Sequence, residues 1–204
     1  MHRRLGDRRA EGILENSFAM THALQGRAGD GLPSAERAVE LLTAHGSPHY
    51  LGNALRTLGT LNLLVGRVAP AEAAFQRAIV ALNKDEGGGF MASAKGCLAA
   101  LCADEGRLVE SDMLLAEAEA HTLDPSGRAF VSLCRGHLEL AQARALRSVG
   151  DDVGALGLRE EAGRRHAQGG QDAPRAPEAV REATNRLASL VLLAALDRYD
   201  AIAG

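Results

Sequence analysis

ALRTLGTLNLLVGRVAPAEAAFQRAIVAL, residues 54 to 82, is the stretch on which the reading of this chain turns. Leu55, Leu58 and Gly59 precede a Gly66-Arg67 pair, and Ala71, Phe75 and Ala78 follow it in a second run that opens near Pro70. Two runs with helical apolar spacing on either side of a glycine describe a helical hairpin. Sliding the sequence against itself shows that the pattern recurs at an offset of 40. Gly26-Arg27, Gly66-Arg67 and Gly106-Arg107 share one register, and Phe18, Leu58, Leu98 and Leu138 share another. Ala19, Gly59 and Ala99 follow the first three of those apolar positions; Gly31, Ala71 and Ser111 come five residues after each turn glycine, and Ala38, Ala78 and Ala118 come twelve after it. Every one of these slots holds a small side chain, as two closely crossing helices require. In the fourth copy the slots slip by four, to Gly150, Ala155 and Ala162. Four residues are about one helical turn, so a longer first helix is expected there.

Composition agrees with an all-α fold. Alanine (38) and leucine (30) dominate, whereas Val, Ile and Thr (10, 3 and 6) are scarce, a balance that favours helix over sheet. First helices are expected over 12–25, 51–65, 91–105 and 128–149, and second helices over 33–44, 70–84, 108–121 and 152–167. Pro33 and Pro70 stand where a first turn tolerates a missing N–H. The glycine clusters at 26–31, 87–89 and 169–170 read as turns or linkers.

The large apolar residue followed by Gly or Ala, the turn glycine, and the small residues of the second run resemble the tetratricopeptide repeat, with Leu55, Leu58, Gly59, Gly66, Ala71, Phe75 and Ala78 on matching positions. The period exceeds that family's usual length of about 34 and resembles the kinesin light chain type and long bacterial arrays. The resemblance implies a right-handed α-solenoid over residues 1–167, in units 6–45, 46–85, 86–125 and 126–167. It departs from the family at Asn62, Glu139 and Arg159. Residues 168–176 read as a linker. Pro177 opens a last segment, 177–204, whose Val180, Ala183, Leu187, Leu190, Val191 and Ala194 form an apolar stripe; it is expected to be a helix that caps the array, with a homodimer contact as its other use.

By the same resemblance, the first helices line a concave groove for a peptide or partner helix. Asn16, Ser17, Asn53, Arg56, Thr57, Thr60, Ser93, Cys97 and His137 are the residues expected to face it. Asn side chains both donate and accept, and Arg56 suits a carboxylate. The function this implies is a non-enzymatic protein-interaction scaffold. The bacterial likeness adds a second reading, a C-terminal regulatory arm of an ATPase, kinase or transcriptional regulator. A third, enzymatic reading pairs Cys97 with His137, which occupy equivalent positions in adjacent units; no residue evident in the sequence orients that imidazole.

Several classes are disfavoured. Lys+Arg at 23 against Asp+Glu at 26 and 3% aromatic residues leave neither a basic excess for phosphates nor rings for stacking bases, so no direct nucleic-acid ligand is expected. Cys97, Cys102 and Cys134 lack paired spacing and His45 and His49 flank Gly46 and Pro48, so no metal is expected, and no motif calls for a cofactor. Gly87 to Gly89 follow Lys84, the reverse of a phosphate loop. The most apolar run, Leu187 to Leu196, is about half of a membrane span, and the start MHRRLGDRRAEG lacks a signal core. A cytoplasmic location is therefore expected, and the three cysteines fit a reducing compartment.

Overall fold

The computed structural model describes residues 7–82, 88–122 and 125–171, and these are helical, without a strand among the described residues. Eight helices follow in order: α1 Arg8–Leu24, α2 Ala28–His45, α3 Pro48–Leu64, α4 Val68–Leu82, α5 Gly88–Asp104, α6 Leu108–Ala120, α7 Pro125–Ser148 and α8 Asp152–Gln171. The chain divides into two compact units, with the boundary between Ala94 and Lys95 inside α5.

Each expected turn glycine sits at a helix end with a positive φ: 73° at Gly26, 79° at Gly66, 78° at Gly106 and 83° at Gly150. The closing hydrogen bonds are alike. Gly26 N donates to Ala23 O and Arg27 N to His22 O; the same pair of bonds recurs at Gly66 and Arg67, at Gly106 and Arg107, and at Gly150 and Asp151. This is the Schellman arrangement, which satisfies two carbonyls of the last turn and needs a left-handed residue between them. The slip of four corresponds to a longer helix: α7 has 24 residues, whereas α1, α3 and α5 have 17 each.

α6 and α8 begin where expected, at Leu108 and Asp152, whereas the other six helices start two to five residues earlier than expected. Asp7 caps α1, accepting from Arg9 N and Ala10 N, so the helix begins at Arg8 rather than Gly12. α2 begins directly after the Gly26-Arg27 turn and carries Pro33 in its interior; the hydrogen bond Pro33 cannot donate would have gone to Gly29, which is exposed and leaves that carbonyl to water. α3 opens with Pro48 at its first turn after Ser47, which places His49 in the helix. Gly88 and Gly89 belong to α5 instead of a linker. α8 continues to Gln171, four residues into the stretch read as a linker. The rest of 168–176 and the segment 177–204 lie outside the described residues.

In the first unit, α1 packs on α2, α3 on α4, α2 on α3 and α1 on α3. Ala38, Val39 and Leu42 of α2 join Ala54 and Leu55 of α3, Ala78, Ala81 and Leu82 of α4, and Met91 and Ala94 in one cluster. A second gathers Ala19, Ala23, Ala28, Leu32, Ala35 and Leu61. The small slots are where helices come closest. A Cβ on Gly12 would meet Leu42 Cγ at 2.8 Å, a Cβ on Gly59 would meet Phe75 Cε1 at 2.6 Å, and Gly52 lies against Leu82 in the same way. Gly12 with Leu42 and Gly52 with Leu82 are one contact repeated 40 residues on, and neither glycine has room for a methyl group.

In the second unit α7 packs on α6 and α8. Ser111 Oγ donates to Ala99 O at 2.8 Å, tying α6 to α5 at a slot where the first unit has Gly31 and Ala71. Gly96 of α5 faces Phe130 and Cys134 of α7, where a Cβ would come within 2.9 Å of the Phe130 ring. Ala118 and Leu115 are fully buried. The shared apolar register is covered unequally: Leu98 and Leu138 are 4% and 1% exposed, Phe18 is 57% exposed, and Leu58 is half-buried.

Candidate functional site

Asn16 and Asn53 stand on α1 and α3, helices in mutual contact, and both are half-buried. Asn53 Oδ1 accepts from Arg56 Nε at 3.3 Å and Nη2 at 2.9 Å. The same guanidinium lies 5.7 Å from the centre of the Phe90 ring. An amide on one side and an aromatic face on the other thus fix a planar cation on α3, which lowers the ordering cost of a bidentate contact with a carboxylate. Asn16 Oδ1 is buried with no partner among the described residues. Around these groups lie Arg9, with its guanidinium 4.9 Å from the Tyr50 ring centre, and His49, 5.6 Å from Tyr50 and 5.0 Å from Phe90.

The other expected groove residues of the first unit differ in exposure, and only Thr57 and Thr60 are covered. Ser17 is exposed and its hydroxyl donates to Ile13 O at 3.0 Å. Thr57 and Thr60 are 0% and 4% exposed and donate to Asn53 O and Arg56 O. Hydroxyls turned back onto their own helix and covered have nothing left to offer a ligand. Ser93, early in α5, is half-buried.

In the second unit, Cys97 and His137 are 8% and 1% exposed. His137 Nε2 lies 3.0 Å from Asp104 Oδ1. Because a carboxylate only accepts, Nε2 carries the proton in this contact; Nδ1 is buried without a partner among the described residues. Arg144 Nη2 is 3.5 Å from the same carboxylate oxygen. The thiol that Cys97 influences is Cys134, whose ionisation is pushed well up, first by burial and then by Cys97. Cys134 is held in the neutral, poorly nucleophilic form by its surroundings.

Further ion pairs cross this unit. Lys95 Nζ meets Glu117 Oε2 at 2.8 Å. Arg135 of α7 reaches Asp112 and Glu119 of α6. Arg165 Nε of α8 donates to Glu139 Oε1 of α7 at 2.7 Å, and Glu139 Oε2 is buried without a partner among the described residues. Burial pushes the Glu139 carboxyl above its usual range, with Arg165 pulling the other way. Among the described residues no three His, Cys, Asp or Glu side chains are gathered so that they could hold a metal ion, and no described helix is long and apolar enough to cross a membrane.

Asp104 and the aromatic partners Tyr50 and Phe90 were not singled out from the sequence. The 40-residue offset carried a usable signal for Asp104, since Arg144 lies one period after it and equivalent positions of successive first helices are neighbours. Tyr50 and Phe90 are also 40 apart, just ahead of the expected helix starts.

Fold and site together define an all-helical protein whose helices are joined in hairpins by glycine turns. No family model and no curated protein matches the chain.

Proposed function

We propose that the chain is a tetratricopeptide-like solenoid that works as a protein-interaction scaffold, and that the face carrying Asn16, Asn53 and Arg56 receives an extended peptide or a partner helix. The observation that carries this reading is the Arg56 guanidinium, held between Asn53 and Phe90 on a first helix, together with Asn16 on the neighbouring first helix. A carboxylate of the partner docks on Arg56, and the Asn amides pair with its main chain. The hairpin array is read from the 40-residue recurrence of the same left-handed glycine turn and from the small buried residues between paired helices; such a scaffold draws its stability from contacts between neighbouring helices.

The test is affinity capture followed by cross-linking with Asn53→Ala/Arg56→Ala beside the unaltered chain. Loss of specific partners with helicity and melting temperature preserved is the expected result. Capture of the same partners at the same yield would remove the groove from this face.

A further inference from the structure

The first helices of the first unit carry one contact twice. Arg9 of α1 lies over the Tyr50 ring of α3, 4.9 Å from its centre, and 40 residues on His49 lies against the Phe90 ring of α5 at 5.0 Å. The two contacts are joined, since His49 also meets Tyr50 edge-on, with ring centres 5.6 Å apart and planes at 86°. Arg56 closes the far end, 5.7 Å from the centre of Phe90. Arg9, Tyr50, His49, Phe90 and Arg56 thus form one unbroken row across α1, α3 and α5. Arg9 is exposed and the other four are half-buried, so every member of the row is reached by solvent.

The charge around the row is one-sided. α3 has no Asp or Glu from Pro48 to Leu64, and α5 has none before Asp104; Asp85 and Glu86, ahead of α5, lie outside the described residues. On α1 the helical spacing sets Arg9, Ile13 and Asn16 on one face and Glu11 and Glu15 on another, and Glu11 is already held by Arg8 and Arg37. Arg9 meets no carboxylate among the described residues. One period beyond Arg56 the slot holds Gly96, set against Phe130 in the second unit, so a guanidinium on the ring at this slot is particular to the first unit.

Resting on the peptide-groove reading above, we infer that the partner's docking segment is acidic and that two of its carboxylates seat at the two ends of this row, one on Arg9 and one on Arg56. The stretch between them lies over the Tyr50, His49 and Phe90 rings. A guanidinium set over a ring uses its face there and keeps N–H groups at its edge for an anion, and it is ordered before the anion arrives. With no acidic side chain on α3, the incoming carboxylates meet no like charge from that helix, whereas a basic segment would meet Arg9 and Arg56 as repulsion. Because the row is open to solvent, salt screens the contact.

Fluorescence anisotropy of the full chain with dye-labelled decaglutamate, beside decalysine, is the test. Decaglutamate is expected to bind, more weakly as salt rises, and decalysine is not. Arg9→Gln and Arg56→Gln should each weaken decaglutamate binding by about tenfold, the scale of a charge-assisted contact. Arg77→Gln on α4, an exposed arginine outside the row, should change nothing. Arg9 is exposed, so the melting curve of Arg9→Gln should match that of the unaltered chain. No binding of decaglutamate, equal binding of decalysine, or an equal loss from Arg77→Gln would each overturn the inference. The groove reading fails separately: if decaglutamate does not bind while Asn53→Ala/Arg56→Ala still loses its captured partners, the acidic segment alone is rejected, whereas failure of both rejects the groove with it.

Discussion

The two compact units are held together by different means. In the first, the buried polar side chains Thr57, Thr60 and Asn62 are bonded to the backbone of their own helix, and helices meet through glycine and alanine set against Leu42, Leu82 and Phe75. In the second, Lys95, His137 and Glu139 are buried, and ionic contacts run from α5 to α6, from α5 to α7, from α6 to α7 and from α7 to α8. Close packing returns transfer and dispersion energy directly. A buried ion pair must first offset the desolvation of both charges. The first unit also has an inter-helix pair, Arg37 with Glu11, but both side chains are partly exposed. The second adds buried charges to close packing of its own, at Gly96 against Phe130, and substitutions should tell the two contributions apart.

Truncating the packing of the first unit should have the largest effect. Phe75 is fully buried against Gly59, and Phe75→Ala is expected to cost about 3–5 kcal/mol, read by hydrogen exchange resolved along the chain so that each unit reports separately. A loss of protection confined to α6–α8 would contradict the division. Next come the turns, where the units should behave alike. A Cβ on Gly66 or Gly150 would find nothing within 4 Å, so alanine there carries only the left-handed strain of about 1–2 kcal/mol. Equal losses for Gly66→Ala and Gly150→Ala in denaturant titrations are expected; a much larger loss at one would mean that its turn is held by more than its own backbone.

Lys95→Met sharpens the contrast. The Lys95 side chain is 7% exposed but its partner Glu117 is 56% exposed, so removing the lysine leaves no stranded buried charge. Stability should hold or rise by about 1 kcal/mol; a drop of the size seen for Phe75→Ala would make the ion pair as important as packing. The smallest effect is one of pH. Glu139 is raised in the folded state, first by burial, so the folded chain holds its proton more tightly than the unfolded chain does. Its contribution to stability is complete below the ordinary carboxylate range and fades as pH rises through the folded value. Glu161 is lowered, chiefly by Arg164, and has the opposite slope: its contribution is present above the ordinary value and lost as pH falls. In melting curves between pH 4 and 7, Glu139→Gln should remove the first trend and leave the second.

The hairpins and their turns were legible in the sequence because a left-handed glycine and a close helix crossing each demand a particular residue type, and those demands recur every 40 residues. Helix starts were less legible. Glycine is also tolerated in a first turn, so Gly29, Gly31, Gly88 and Gly89 gave no sign that they are helical. The candidate groove was only partly readable, since spacing gives the face of a helix but not what covers it. Asn53 and Arg56 remain half-buried and adjacent, whereas Thr57, Thr60, Cys97 and His137 are covered. Phe18 shows the converse: it shares a register with Leu98 and Leu138 yet stays exposed, because the helix that covers this position on α3 has no described counterpart over α1.

The glycine turns have a practical consequence for anyone who wishes to watch this molecule at work. Each closes on its own main-chain hydrogen bonds, and no neighbouring atom lies within 4 Å of the space beside Gly26, Gly66, Gly106 or Gly150. A dye, a spin label or a short epitope placed at these four tips would report on each hairpin in turn without entering the packed interior.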